Sequence, residues 1–411
     1  MLSAAQADFV DWRTTIPITH LRASEALKPF DAQMTSFMAA RNIPGGALAV
    51  SRNGKLVLAA GYGYADVEAQ ETVSPTSLFR IASLSKPITG VAIMRLMELY
   101  PDRVSLGTPA FSLVQIQADA AGDPRLSQVT VGQLLYHTGG WDRGRSFDPM
   151  GRPRQISEAL GIPSPPGPRD IIRYMLGQPL EFAPGAEHAY SNFGYCVLGR
   201  IIEDVSGRPY EQFVKDEVLG PLSITTMRIG RSLRENLAPG EVCYYDPRNG
   251  RSVWPASGAE EGSLAYEALA IEPMDSHGGW IASAVDLVKF ACAFDGAEHC
   301  PILTPESVAV MFARPEGPAG YEADGAPQAA YYAGGWSVRP TGDGRANHWH
   351  AGGLPGTSTL LVRRSDGLNW AVLFNQGLDD SGLEYGDIDP ALHRAANAVN
   401  DWPDWDLWEA T

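Results

Sequence analysis

The first hundred residues alternate apolar and polar positions in the pattern of a helix followed by a hairpin. Apolar side chains recur on one helical face at Phe30, Met34, Phe37 and Met38. Pro29 suits the first turn of that helix, which should end near Asn42. Apolar runs at residues 47–51 and 56–62 then flank Asn53-Gly54, a dipeptide that favours a tight hairpin turn. The pattern predicts a helix and then a β-hairpin.

The C-terminal end shows the same two elements in reverse order. Strand-like runs at residues 357–362 and 369–374 flank Ser365-Asp366-Gly367, and Asp389-Pro390 should begin a helix that continues to about Asn400. One antiparallel sheet built from both termini would accommodate both hairpins. Beyond it, three tryptophans at i, i+3 spacing predict a tail helix packed on the body, with a partner-binding site as the alternative: Trp402, Trp405 and Trp408.

The middle of the chain has a different character. Residues 145–168 are rich in Pro and Gly and are interpreted as loop, whereas 170–176, 192–205 and 210–219 have helical patterns. We therefore predict an α+β fold, an antiparallel sheet flanked by helices and built from both termini, with a mostly helical domain inserted. The predicted units are an N-terminal extension at 1–27, a discontinuous α/β domain at 28–100 and 270–411, and a helical domain at 101–269.

Charge and composition restrict the partners. The 411 residues carry 48 acidic and 32 basic side chains, a formal charge of −16. Nucleic acid and anionic membrane surfaces are therefore not expected as partners, and the acidic surface hints at neutral or cationic substrates. No signal peptide is visible, which favours the cytoplasm; a periplasmic or secreted location stays open if a signal was removed. The oligomeric state is also open.

Ser83 and Lys86 form the first candidate site. The chain has five lysines, and only Lys86 follows a serine by three residues, about one helical turn. A neighbouring amine activates a serine hydroxyl when burial lowers the pKa of that amine. The apolar helix that follows Pro87 would bury Lys86 and place Ser83 at its N-terminus. The alternative is a surface helix that Ser83 only caps.

Tyr190 and Asn192 form the second candidate. They follow a Pro184-Gly185 turn and precede a helical run, so the phenol can point into a cleft. A phenol beside a lysine ammonium has a lowered pKa and can act as a general base, and the amide can hold a substrate carbonyl or Lys86. The alternative is a core tyrosine followed by a capping asparagine.

The third candidate lies just before the first C-terminal strand, at His350, Gly352 and Gly353. Glycines let a backbone pass close to a ligand, and a strand edge aligns an extended substrate. His348 and His350 point to one side of a strand, but no third ligand accompanies them at a recognisable spacing. We expect neither a metal nor a cofactor. His137 is interpreted as structural, and Trp141, Trp336 and Trp349 as either pocket or core.

These pieces resemble the three motifs of the penicillin-recognising serine hydrolases. Ser83-x-x-Lys86, Tyr190-x-Asn192 and His350-x-Gly352 have the order and spacing of that superfamily. Residues 28–400 resemble the branch that holds class C β-lactamases, D,D-carboxypeptidases, D-aminopeptidases and family VIII carboxylesterases. The segments 43–46, 131–140 and 278–283 also look familial.

The resemblance implies roles for the motif residues. Ser83 would be the acylated nucleophile, Lys86 and Tyr190 would share its proton, and Asn192 would position substrate. The backbone N–H groups of Ser83 and Gly353 would form the oxyanion hole, and Tyr190 would activate the deacylating water. Which of Lys86 and Tyr190 is the base stays open.

His350 departs from most class C β-lactamases, which resemble this segment but have a lysine there. A neutral histidine lacks the fixed charge that recruits a substrate carboxylate. We therefore expect a serine hydrolase of carboxylic esters that acts through a Ser83 acyl-enzyme. The alternatives are a D,D-peptidase or D-aminopeptidase type of amide hydrolase, a weak β-lactamase, and an inactive penicillin-binding sensor module.

Overall fold

The computed structural model describes residues 16–117, 122–255, 258 and 260–411. Of the predicted N-terminal extension, residues 1–15 lie outside the described residues. The strands are β1 (Ile18–His20), β2 (Gly45–Arg52), β3 (Lys55–Asp66), β4 (Glu71–Thr72), β5 (Phe79–Arg80), β6 (Arg228–Ile229), β7 (Asn249–Arg251), β8 (Glu261–Ser263), β9 (Trp280–Ala282), β10 (Tyr331–Ala333), β11 (Trp336–Pro340), β12 (Ala346–Leu354), β13 (Thr357–Arg363) and β14 (Leu368–Phe374).

The α-helices lie at both ends and in the middle segment. They are α1 (Lys28–Ala40), α2 (Ser85–Leu99), α3 (Ala110–Leu113), α4 (Val131–Leu135), α5 (Pro153–Leu160), α6 (Pro168–Leu176), α7 (Asn192–Ser206), α8 (Tyr210–Val214), α9 (Ala284–Cys292), α10 (Pro305–Phe312) and α11 (Ile388–Ala398). A π-helical turn over Lys215–Leu219 continues α8.

One antiparallel sheet joins the two ends of the chain. Its strand order is β1-β3-β2-β14-β13-β12-β11-β10, with β4 beside β3. The predicted hairpins are β2–β3 and β13–β14, and β14 pairs with β2 in register from Leu368↔Arg52 to Phe374↔Gly46. The prediction of an α+β fold with a sheet from both termini is confirmed. The predicted boundaries near 100 and 270 stay a prediction.

Each face of the sheet has its own core. Helices α1 and α11 cover one face, where Trp370 of β14 is fully buried among their apolar side chains. On the other face a single cluster runs from the sheet through α2 and α9 into α7 of the middle segment. The site described below lies where this second cluster meets the sheet, at the N-terminal end of α2.

Two sequence predictions about local structure were wrong. The tryptophan tail contains only a short 3₁₀ turn, Trp408–Ala410, although it packs on the body as expected. Trp405 Nε1 donates to the Val57 carbonyl at 3.1 Å and Trp408 Nε1 to the Gly54 carbonyl at 2.8 Å, so hairpin contacts replace helical ones. The segment 145–168 contains α5, which begins at Pro153, a residue well suited to a first helical turn.

Within the described residues, no helix combines the length and apolarity required to cross a membrane.

Candidate active site

Ser83 lies on a 3₁₀ turn, Ala82–Leu84, that leads directly into α2. Ala82 has a φ of +48°, a left-handed conformation that costs a non-glycine residue energy and turns the chain sharply before the helix. The preceding backbone is held by β13, because Thr357 and Thr359 donate hydrogen bonds to the carbonyls of Arg80 and Ile81, each at 3.0 Å. Ser83 is therefore fixed between a helix and a sheet.

Lys86 is completely buried one turn into α2, and its amine makes three close polar contacts. Nζ lies 3.0 Å from Ser83 Oγ, 2.8 Å from Asn192 Oδ1 and 2.9 Å from the His277 carbonyl oxygen. Burial lowers the pKa of Lys86 well below its usual value; Asp148 opposes this shift and Arg143 adds to it. The chain thus places a readily neutralised amine beside the serine hydroxyl.

Tyr190 lies beside both Ser83 and Lys86. Lys86 Nζ lies 4.7 Å from the centre of its ring, and Arg143 Cζ lies 5.1 Å from it on the ring face. Burial raises the pKa of Tyr190 above its usual value, although its hydrogen bond to Ser83 and the charge of Arg143 lower it. The expectation of a lowered pKa for Tyr190 was wrong, because burial outweighs the positive charges around the phenol. Tyr190 is a neutral phenol at neutral pH.

Asn192 connects Lys86 to a carboxylate. It is the first residue of α7, which Ser191 caps through a hydrogen bond from the Gly194 N–H. While Asn192 Oδ1 accepts from Lys86, Nδ2 donates to Asp148 Oδ2 at 2.6 Å. Asp148 also pairs with Arg143, whose Nη1 lies 3.7 Å from the same oxygen. The amide therefore has a fixed orientation, with its oxygen towards the amine.

His350 is neutral and faces Tyr332. Nδ1 lies 2.7 Å from the Ala351 carbonyl oxygen and Nε2 lies 2.9 Å from Tyr332 Oη. A carbonyl only accepts, so Nδ1 carries the hydrogen and Nε2 accepts from the phenol. Burial, aided by the charge of Lys86, lowers the pKa of His350 to about 3. The third motif therefore contributes no positive charge at neutral pH.

Strand β12 offers an open edge next to Ser83. Its partner β11 pairs with it only as far as Trp349, so residues 350–354 pair on the β13 side alone. A Cβ on Gly352 would lie 2.6 Å from the Ile81 carbonyl oxygen and 3.1 Å from Ser83 N, whereas one on Gly353 would meet nothing within 4 Å. Gly352 thus lets the strand approach the serine backbone, and Gly353 faces open space.

These residues line one cleft of about 1360 Å³ between the end of β12 and the middle segment. Ser83, Tyr190, Asn192, His350, Gly352 and Gly353 all contribute to its surface. Among the tryptophans left undecided by the sequence, Trp349 lines the cleft whereas Trp141 and Trp336 are buried in the core. Over the described ranges, no group of three or more His, Cys, Asp or Glu side chains is placed to hold a metal ion.

Sequence reasoning missed four residues around the site: Arg143, Asp148, His277 and Tyr332. Asp148 lies in the segment interpreted as loop, and Arg143 lies just before that segment. The Asp148-Pro149 pair, typical of a helix start, was the available sequence signal for Asp148. His277 acts through its backbone carbonyl, which has no sequence signal.

His137 is structural as expected. Its carbonyl accepts from the Ala189 N–H at 2.9 Å and its Nδ1 accepts from the Ser191 N–H at 3.2 Å, on either side of Tyr190.

Comparison with known proteins identifies the class. A family model described as Beta-lactamase matches residues 30–392. The chain therefore belongs to the β-lactamase family, within the superfamily of serine β-lactamase and penicillin-binding-protein-like hydrolases, and the resemblance inferred from the three motifs is confirmed.

Individual relatives are distant. Protein flp of Staphylococcus aureus (strain MW2) is 32% identical over 188 residues, which make up 44% of this chain and 34% of that protein. The match thus spans about a third of that relative. Penicillin-binding protein 4* of Bacillus subtilis (strain 168) is 24% identical over 362 residues, 85% of this chain and 71% of that protein.

Solved structures share the fold. The octameric penicillin-binding protein homologue from Pyrococcus abyssi superposes with a TM-score of 0.66 at 23% identity, covering 92% of this chain and 80% of the other. The D-amino acid amidase from Ochrobactrum anthropi SV3, complexed with L-phenylalanine amide, gives a TM-score of 0.67 at 20% identity, covering 92% and 99%.

Proposed function

We propose that this hydrolase acts through an acyl-enzyme formed on Ser83, with carboxylic esters as its principal substrates. The observation that carries the proposal is the 3.0 Å contact between Ser83 Oγ and the fully buried amine of Lys86. A serine hydroxyl needs an adjacent base to become a nucleophile, and an amine whose pKa is lowered by burial supplies that base near neutral pH.

In the first step, Ser83 Oγ attacks the substrate carbonyl carbon while its proton passes to Lys86 Nζ. The tetrahedral oxyanion would be held by the N–H groups of Ser83 and Gly353. Tyr190, as a neutral phenol, is suited to pass a proton to the leaving alcohol or amine and to recover one from Lys86. This returns the lysine to its neutral form and leaves the acyl group on Ser83.

Water then cleaves the acyl-enzyme. With the leaving group gone, a water molecule in the open cleft can reach the acyl carbonyl next to Tyr190 and the neutral amine of Lys86. Lys86 takes the water proton, directly or through the Tyr190 hydroxyl as a relay, and returns it to Ser83 Oγ as the acid is released. Asn192, fixed between Lys86 and Asp148, keeps the amine aligned throughout both halves of the reaction.

The neutral state of His350 supports esters over β-lactams. A lysine in the third motif supplies a fixed charge for the carboxylate of a β-lactam, and burial of His350 prevents it from replacing that charge. Amide hydrolysis is the second candidate. It is supported by the fold shared with the D-amino acid amidase and by a phenol able to protonate an amine leaving group.

A labelling and turnover experiment tests the proposal. A fluorophosphonate probe should label the wild type and the surface variant Ser112→Ala but not Ser83→Ala. Ser83→Ala should also reduce kcat/KM for 4-nitrophenyl esters by on the order of 10⁴-fold or more. Ester hydrolysis that survives in Ser83→Ala would contradict the proposal, and labelling without turnover would indicate a sensor module. Parallel assays with a D-amino-acid amide and nitrocefin rank the substrate classes.

A further inference from the structure

The cleft around Ser83 has a charge opposite to that of the whole chain. The full sequence carries a formal charge of −16. The charged side chains that line the cleft comprise four arginines and two acids: Arg143, Arg152, Arg154, Arg251, Asp148 and Glu158. The hint from composition, that substrates are neutral or cationic, therefore does not describe the cleft.

Among the described residues, three of these arginines form no ion pair. Arg143 is neutralised by Asp148 at 3.7 Å. For Arg152, Arg154 and Arg251, no carboxylate of the described residues lies within ion-pairing distance. Their positive charge is therefore available to a ligand in the cleft.

Local contacts hold two of these side chains along the cleft wall. Arg152 Cζ lies 4.4 Å from the centre of the Phe147 ring, a cation–π contact that leaves its N–H groups free for other partners. Arg154 Nη1 donates to the Ser252 carbonyl at 2.9 Å, which joins the start of α5 to the chain directly after Arg251. Arg154 and Arg251 thus belong to one wall.

Apolar side chains line the same cleft as these arginines and Ser83. The same lining contains Met150, Val253, Leu264, Leu269 and Met274. A wall with apolar side chains and free guanidinium groups matches a ligand that has an apolar segment ending in a carboxylate. His350 lines the same cleft but is neutral, so it cannot supply a positive charge.

We infer that the arginine wall (Arg152, Arg154 and Arg251) binds a carboxylate that the substrate carries some distance from its scissile carbonyl. The inference rests on the proposed function and specifies its substrate class: half-esters, or amides, whose acyl chain or leaving group ends in a carboxylate. The guanidinium groups would bind that carboxylate by charge-assisted hydrogen bonds.

Matched ester pairs test the inference on the full-length protein. One pair is mono-4-nitrophenyl glutarate against 4-nitrophenyl pentanoate, which differ in the charged end of the acyl chain. The other is 4-carboxyphenyl pentanoate against 4-carbamoylphenyl pentanoate, which differ in the leaving group. In at least one pair, kcat/KM for the charged ester should exceed that of its neutral match by about tenfold, and salt should reduce the ratio.

The variant Arg152→Gln/Arg154→Gln/Arg251→Gln should bring that ratio close to one. A matched control, Arg22→Gln/Arg52→Gln/Arg394→Gln, removes the same net charge from residues that do not line the cleft and should keep the ratio. A wild type that hydrolyses the neutral esters but does not prefer a charged one would overturn the inference and leave the proposed function standing. So would a preference that the cleft variant retains. If neither kind of ester is hydrolysed and Ser83 is not labelled, the proposed function fails instead.

Discussion

At the scale of single residues, the contacts of Lys86 accommodate a neutral amine, the form that burial favours. A neutral amine has two N–H donors and one lone pair. Two of its neighbours, Asn192 Oδ1 and the His277 carbonyl, only accept, and the third is the Ser83 hydroxyl. In the neutral form the two donors serve the two carbonyls, which leaves the lone pair to receive the Ser83 proton. Since burial raises the pKa of Tyr190, we propose Lys86 rather than Tyr190 as the base for acylation.

The charge of Asp148 should set the acid limb of the pH profile. In the proposed mechanism activity requires neutral Lys86, so kcat/KM should rise with pH through the lysine pKa, and Asp148 raises that pKa. The isosteric Asp148→Asn removes the charge and keeps an acceptor for the amide of Asn192. We therefore expect the acid limb, measured as kcat/KM for a 4-nitrophenyl ester against pH, to move to lower pH.

Arg143 provides the opposite control. Its charge lowers the pKa of Lys86, so Arg143→Gln should move the acid limb to higher pH, and the double variant should lie between the two. Burial also lowers the pKa values of the neighbouring His137, His277 and His350, so these rings are neutral at neutral pH. Equal shifts of the limb in the same direction for both single variants would contradict this assignment.

At the scale of elements, the approach of β12 to the serine turn depends on Gly352. A Cβ there would collide with the Ile81 carbonyl oxygen at 2.6 Å, which is fixed by Thr359. Gly352→Ala should therefore lower the free energy of unfolding by about 1–3 kcal/mol and displace the strand edge from Ser83. Its matched control, Gly353→Ala, adds a Cβ in open space and should leave the melting temperature unchanged. Thermal denaturation of both variants checks the pair, and equal losses would show that the close approach is unimportant.

The elements predicted correctly from the sequence are those with a local signal. Helix α1 and the β2–β3 and β13–β14 hairpins follow from apolar periodicity and from turn residues such as Asn53-Gly54. The tryptophan tail has helical spacing, yet its indole N–H groups bond to backbone carbonyls of the β2–β3 hairpin, and tertiary contacts override the local pattern.

The candidate site required more than local patterns. Ser83, Tyr190 and His350 are far apart in sequence, so only their resemblance to family motifs predicted that they meet. Asp148 and Arg143 come from an irregular segment without periodicity, and their contacts with Asn192 and Tyr190 depend on how that segment folds over α7. The pKa of Tyr190 was predicted with the wrong sign because sequence shows a neighbouring charge more readily than it shows burial.

At the scale of the whole molecule, the continuity of the core argues against separate unfolding of the predicted domains. One apolar cluster includes Leu361 of β13, Val91 of α2 and Leu198 of α7, so the middle segment and the sheet bury the same surface. We expect urea to unfold both in a single cooperative transition, with tryptophan fluorescence, far-ultraviolet circular dichroism and residual hydrolase activity changing together. Leu198→Ala, at a fully buried position, should lower the free energy of unfolding by about 2–5 kcal/mol, and all three signals should report the same decrease. If activity and middle-segment helicity were lost in Leu198→Ala while the Trp370 environment persisted, the sheet would be stable without the inserted helices.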